Sequence, residues 1–278
     1  MKLILNVVVI LVCAVGLEHS ANAQDTQFSD EDRLKIAVQA ICPVSGEELG
    51  SMGNPVKVRA GSQVAFLCCK ACQGNKIDPE HWAKIQVRLA TAQATCPIMG
   101  KPVDAKMEST VVEGQKVFVC CPPCIEKIES EPATALRKVR SAYKRFVEEE
   151  RRTRSDRLHA IAQKICPVSG EPLGSKGDPV KVKVGKHEHA FLCCQECTGG
   201  KLSAEHWKTI QRNLAKAQGT CPVMEKPVDE TMSFAIVNGR KIFVCCPPCI
   251  EKIEKDPEDF VAKLDRQITK TQRAESLR

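Results

Sequence analysis

Apolar residues recur along this chain in two rhythms. Val56-Lys57-Val58-Arg59 alternates as a half-buried strand does, Gly61 marks a turn, and Val64 to Cys68 returns as a second strand, which predicts a β-hairpin. Asn238-Gly239 between two apolar runs repeats that signal. Elsewhere the spacing is helical. Leu34, Val38 and Ile41 follow a capping pair, Ser29 and Asp32, and predict a short helix closed by Cys42. Asp78-Pro79-Glu80 supplies an N-cap, a first-turn proline and an acid, opening a helix whose Trp82, Ile85 and Leu89 share the inner face. Leu136, Val139, Tyr143 and Phe146 stripe a charged helix that runs toward Glu150. Thr153 and Asp156 are expected to break it, as Ser29 and Asp32 open the first helix.

The pattern occurs twice. Residues 42–124 recur as 166–249, with Cys42 displaced by 124 positions and Cys96 and Cys124 by 125, so one residue is inserted in a hairpin. Glu80-His81-Trp82 matches Glu205-His206-Trp207, and Ala92-Gln93 matches Ala217-Gln218. Each half contains two units that open on Cys-Pro, at Cys42, Cys96, Cys166 and Cys221. Each unit closes on Cys-Cys-x-x-Cys, formed by Cys68, Cys69 and Cys72, by Cys120, Cys121 and Cys124, by Cys193, Cys194 and Cys197, and by Cys245, Cys246 and Cys249. The expected fold class is α+β: four units of knuckle, β-hairpin and helix, in two tandem pairs joined by a charged helix. Units are expected at 42–95, 96–132, 166–220 and 221–278, the last with a C-terminal helix. An N-terminal helix at 24–41 and a linker helix at 133–165 complete the chain.

Composition explains why cysteine is so frequent. With aromatics at 4 %, units of roughly 50 residues bury too little apolar surface to stand alone and need cross-links. Lys2, the apolar run Leu3 to Leu17 and Ala21-Asn22-Ala23 read as a secretory leader at 1–23, cleaved before Gln24. Its run falls short of the ~20 residues that span a membrane, and no other stretch is long enough. Cleavage removes one cysteine of 17, Cys13, and leaves four per unit in a protein expected in the periplasm or outside the cell. Residues 137–164 contribute an excess of six positive charges to a chain total of +7. Without stacking aromatics, and with export, that stretch reads as a solvated helix rather than a nucleic-acid surface. No nucleophile-base pattern or phosphate loop is present, so no enzyme is expected.

The chemistry therefore rests with sulfur. Spacings of i, i+3 and i, i+4 place Cys121 or Cys120 on one helical face with Cys124, and Pro122 and Pro123 suit a first turn whose dipole favours thiolate. A hairpin folding Cys96 onto that point makes a site of three or four sulfurs, fit for zinc or copper as Cu(I). All sixteen cysteines of the four units are candidate ligands. Two other readings remain open: thiol-disulfide exchange through Cys-Pro-Pro-Cys, and a secreted scaffold of disulfides. Met99 and Met224 are soft thioether donors or packing residues. His81 and His206 read as first-turn packing, and His187 and His189 as solvated hairpin residues.

Cys96-Pro97-Ile98-Met99-Gly100-Lys101-Pro102-Val103-Asp104 with Val117 to Cys124, echoed at Cys221 to Asp229 and Phe243 to Cys249, resembles the TRASH and YHS heavy-metal-binding modules. These are similar to treble-clef zinc folds. The resemblance implies a knuckle cysteine with a Cys-x-x-x-Cys pair, hence Cys96 with Cys120 and Cys124, and the equivalent positions in the other units. Cys121 is then an added thiol. It also implies metal ions as cargo and a cell-envelope protein as a possible recipient. Two departures stand out. Spacers of 23 to 26 residues are long for these modules, and Ser45, Met99, Ser169 and Met224 stand where a second knuckle cysteine would be, leaving the fourth ligand open.

Overall fold

The computed structural model describes residues 28–277, so the expected leader lies outside the described residues. Among the described residues there are seven α-helices and four two-stranded antiparallel sheets, an α+β chain. It divides into two compact bodies, one ending at Val147 and the other beginning at Glu148.

The first body begins with α1, Asp30–Gln39, whose Ser29 hydroxyl accepts the Asp32 N–H at 3.1 Å. The Asp32 carboxylate does not reach back to the cap but takes the Lys57 ammonium at 2.8 Å. Strands β1, Val56–Ala60, and β2, Gln63–Leu67, pair with Val56 opposite Leu67. Helix α2, Pro79–Gln93, starts where the Asp78 carboxylate accepts two N–H groups. A second hairpin, β3 Ser109–Val112 and β4 Gln115–Phe118, leads into α3, Pro123–Ser130. The two hairpins meet where the Val64 N–H donates to the Gly114 carbonyl at 2.7 Å.

Helix α4, Pro132–Gln163, gives its first half to this body and its second half to the other, and it is continuous. The break expected at Thr153 and Asp156 does not occur. Asp156 spends its carboxylate on Lys181 at 2.7 Å instead of capping a new helix, exposed Thr153 faces solvent, and Leu158 and Ala162 keep the helical period by packing into the core. The second body then repeats the first through β5 Val180–Val184, β6 Glu188–Leu192, α5 Ala204–Gln218, β7 Phe234–Val237, β8 Arg240–Phe243, α6 Pro248–Lys255 and α7 Pro257–Ser276.

His189 departs from its expected solvated place. Its N–H donates to the Gly239 carbonyl at 2.7 Å, and its ring lies so close to Gly239 that a side chain there would collide. The cause is the same hairpin-to-hairpin contact made by Val64 and Gly114, which draws the strand start inward. His187 is exposed.

The cores are unequal within each body. Units two and four join broad apolar cores, Val117, Val119 and Ile128 with Leu136, Val139 and Tyr143 of α4 in the first body, and Ile242, Val244, Ile253 and Leu264 with Ile210 of α5 in the second. Leu136, Val139 and Tyr143 are the predicted stripe. The cluster at the unit one triad has Leu67 with Cys42, Cys68 and Cys72 as its buried members, and that at the unit three triad Leu192 with Cys166 and Cys193. Cysteine is thus most of the small buried cluster at each of these two triads.

Candidate metal centres

Each centre is assembled from three pieces of backbone. The first is a knuckle following the lone cysteine. The N–H of Gly46 donates back to the Cys42 carbonyl at 2.9 Å, and the equivalent bonds are Gly100 to Cys96 at 2.8 Å, Gly170 to Cys166 at 2.9 Å and Glu225 to Cys221 at 2.8 Å. The Cys42 N–H in turn donates to Glu47 O at 2.7 Å, with the same bond at 2.8 Å from Cys96 to Lys101, Cys166 to Glu171 and Cys221 to Lys226. All four knuckles therefore share one fold. His81 and His206 pack their rings against Gly46 and Gly170, as packing residues do.

The second piece is the strand carrying the vicinal pair. Phe66, Phe118, Phe191 and Phe243 are buried, and each precedes its first vicinal cysteine by two residues. The third is the turn to the last cysteine. In units two and four this is the start of α3 and α6, where Pro122 and Pro247 set φ at -55° and -54° and have no N–H to leave unpaired. In units one and three it is one turn of 3-10 helix, Lys70–Cys72 and Gln195–Cys197.

A buried glutamine ties these pieces together, and the sequence reading passed over it. Gln39 donates from Nε2 to the carbonyls of Ile41 at 2.9 Å and Phe66 at 2.6 Å, and accepts the Phe66 N–H on Oε1 at 2.9 Å. Gln93 does the same with Thr95 and Phe118, Gln163 with Ile165 and Phe191, and Gln218 with Thr220 and Phe243. One side chain thus holds the entry to the knuckle against the strand that delivers the vicinal cysteines. The signal was available: a glutamine stands three residues before every lone cysteine. Ala92-Gln93 and Ala217-Gln218 drew notice only as marks of duplication.

The residue after each glutamine is bent sharply. Ala40, Ala94, Lys164 and Gly219 have φ of 62°, 60°, 70° and 75°. Around them the Ile41 N–H donates to Gln39 O at 2.8 Å, with equivalents at 2.7 Å in Thr95, 2.9 Å in Ile165 and 2.9 Å in Thr220. These are positive-φ γ-turns, a rare and strained form.

The result is four sulfur triads: Cys42, Cys68 and Cys72; Cys96, Cys120 and Cys124; Cys166, Cys193 and Cys197; Cys221, Cys245 and Cys249. Within each, all Sγ atoms lie within 4.8 Å of one another. Four sulfurs about 2.3 Å from a tetrahedral zinc ion lie about 3.8 Å apart. Cys68 and Cys72 are separated by 3.6 Å, Cys193 and Cys197 by 3.7 Å, and Cys245 and Cys249 by 4.0 Å, so the donor set fits such an ion. The remaining thiols, Cys69, Cys121, Cys194 and Cys246, sit outside the triads but close to them. Cys69 is 3.8 Å from Cys68 and 4.0 Å from Cys72, and Cys121 is 3.9 Å from Cys120 and 3.2 Å from Cys124. Cys194 and Cys246 repeat that placement. All sixteen described cysteines are free thiols.

Electrostatics point the same way. Burial resists ionisation of Cys42, yet the Ser45 hydroxyl and the N–H groups of Ser45, Cys68 and Val44 outweigh it and bring the thiol down to about 6. Cys166 is brought down to about 6 by the matching set around Ser169. Burial also opposes ionisation of Cys96 and Cys221, and N–H groups of their knuckles and of Cys120 and Cys245 still lower both. The last cysteine of each unit moves the other way. Burial first, and then the neighbouring sulfurs, push Cys72, Cys197 and Cys249 up to about 12, and Cys124 rises as well. Two thiolates about 4 Å apart repel by roughly 4 kcal/mol at an effective dielectric of about 20. A cation placed among these sulfurs would offset the burial and mutual repulsion that hold the last cysteine of each unit protonated. Comparison with protein-family models, with characterised proteins and with solved structures found no match.

Proposed function

We propose that this is an exported metal-binding protein of four treble-clef-like modules, each taking one thiophilic ion, zinc or copper, for sequestration, transfer or structural use. The observation that carries the reading is the convergence of three sulfurs at four equivalent places. In each module the knuckle cysteine, the first vicinal cysteine and the last cysteine would hold the ion, and the second vicinal cysteine stands beside them. The ion would supply the positive charge that allows all these sulfurs to ionise together. Export rests on the leader at 1–23, and no catalytic step is assigned.

The reading favours metal over the disulfide scaffold because the sulfurs of each triad gather at the spacing a tetrahedral ion needs, with all sixteen described cysteines free. Purification in reducing buffer, elemental mass spectrometry and thiol titration before and after chelation test it. Four ions per chain, with thiols shielded until chelation, are expected. A metal-free chain without titratable thiols would establish the scaffold instead, and insulin reduction that vanishes on Cys121→Ser with Cys246→Ser would establish thiol-disulfide exchange.

A further inference from the structure

The four knuckles share one backbone but not one side chain at the third position after the cysteine. Units one and three have Ser45 and Ser169, whose hydroxyls lie 3.4 Å from Cys68 Sγ and 3.3 Å from Cys193 Sγ. The root of this side chain is therefore within reach of the first vicinal sulfur, which the short serine meets directly. Units two and four root methionine at the same place, after the same turn, with Gly100 and Glu225 at φ of 69° and 57° where Gly46 and Gly170 have 74° and 76°. Met99 and Met224 are not spent on packing: they are 54 % and 49 % exposed, beside the broadest cores in the chain. About half of each thioether side chain is therefore open to solvent and not held in the core.

We propose that Met99 and Met224 are soft thioether donors that add to the thiolate triads of units two and four, giving these centres a preference for Cu(I), while Ser45 and Ser169 leave units one and three as thiolate centres without one. The metal-binding reading is its premise. A thioether is a soft, neutral donor that suits Cu(I) and adds little for zinc. A serine hydroxyl instead donates a hydrogen bond to a thiolate, satisfying the sulfur without occupying the ion. Two kinds of site would then alternate along one chain.

The test is carbon-13 methyl labelling of methionine in the full chain, titrated separately with Cu(I) and zinc under reducing conditions. Met99 and Met224 methyl signals should shift with Cu(I) and stay near their metal-free positions with zinc, while Met52 and Met107 stay fixed in both. Met99→Ser with Met224→Ser should weaken Cu(I) binding at two of the four sites by about tenfold, with zinc binding unchanged. Cu(I) filling the thiolate sites without moving either methyl signal would overturn the thioether assignment and leave the metal-binding reading standing. Failure to bind either metal would overturn both.

Discussion

Units one and three carry the same triad as units two and four on much less local structure. After the vicinal cysteines, Pro122 and Pro247 launch eight-residue helices whose Ile128 and Ile253 enter broad cores. Lys70-Ala71 and Gln195-Glu196 produce only one 3-10 turn, and the next helix starts afresh at Pro79 or Ala204. The sulfur geometry survives the difference. It is therefore set by what all four units share, the glutamine clamp, the knuckle and the hairpin, whereas the helix adds apolar burial. Units one and three should lean on the metal for stability, and units two and four on their cores.

Metal removal gives the largest separation. Chelation should expose the backbone amides of β1, β2, β5 and β6 to exchange about a thousandfold faster, the equivalent of about 4 kcal/mol, because the buried cluster at each of their triads is mostly cysteine. Amides of β4 and β8 should change less than about tenfold. Equal loss in all four hairpins would break the contrast between the unit types.

The clamp should narrow that contrast, being common to both types. Gln39→Ala and Gln93→Ala each remove three hydrogen bonds and leave a buried carbonyl and N–H of Phe66 or Phe118 unmatched. Each should cost about 2–4 kcal/mol in urea unfolding. A loss below about 0.5 kcal/mol in either would show that the hairpin positions its cysteines unaided.

Much of this was legible from residue patterns. The four hairpins, the helix at Asp78, the stripe from Leu136 and the grouping of each knuckle cysteine with its downstream partners are all carried by periodicity, capping chemistry and repeat spacing. Helical spacing alone left the choice within each vicinal pair open, since Cys120 and Cys121 both share a face with Cys124; the family resemblance pointed to the first of the pair, and the triads contain that one. Thr153 and Asp156 misled because capping residues also serve as surface residues, and Lys181, which claims the Asp156 carboxylate, lies 25 positions away. His189 misled because its burial comes from the turn at Gly239, a contact that no local pattern announces. The γ-turns were illegible for a stronger reason: three of the four centre on alanine or lysine, residues that ordinarily avoid positive φ.

Those turns supply the smallest test, a pair of exchanges in units two and four. Gly219 occupies the bent position without a β-carbon, while Ala40, Ala94 and Lys164 take the same conformation with one. Strain of this kind costs on the order of 1–3 kcal/mol, whereas glycine costs about 0.5–1 kcal/mol in lost chain entropy. Strain outweighs entropy, so Ala94→Gly should stabilise unit two by about 1 kcal/mol and Gly219→Ala should destabilise unit four by a similar amount. Opposite shifts of the urea midpoint are the expected readout. A drop in stability for Ala94→Gly would mean that the clamp and the γ-turn hydrogen bond hold the bend without strain, and that glycine in unit four has no advantage over the residues at the other three positions.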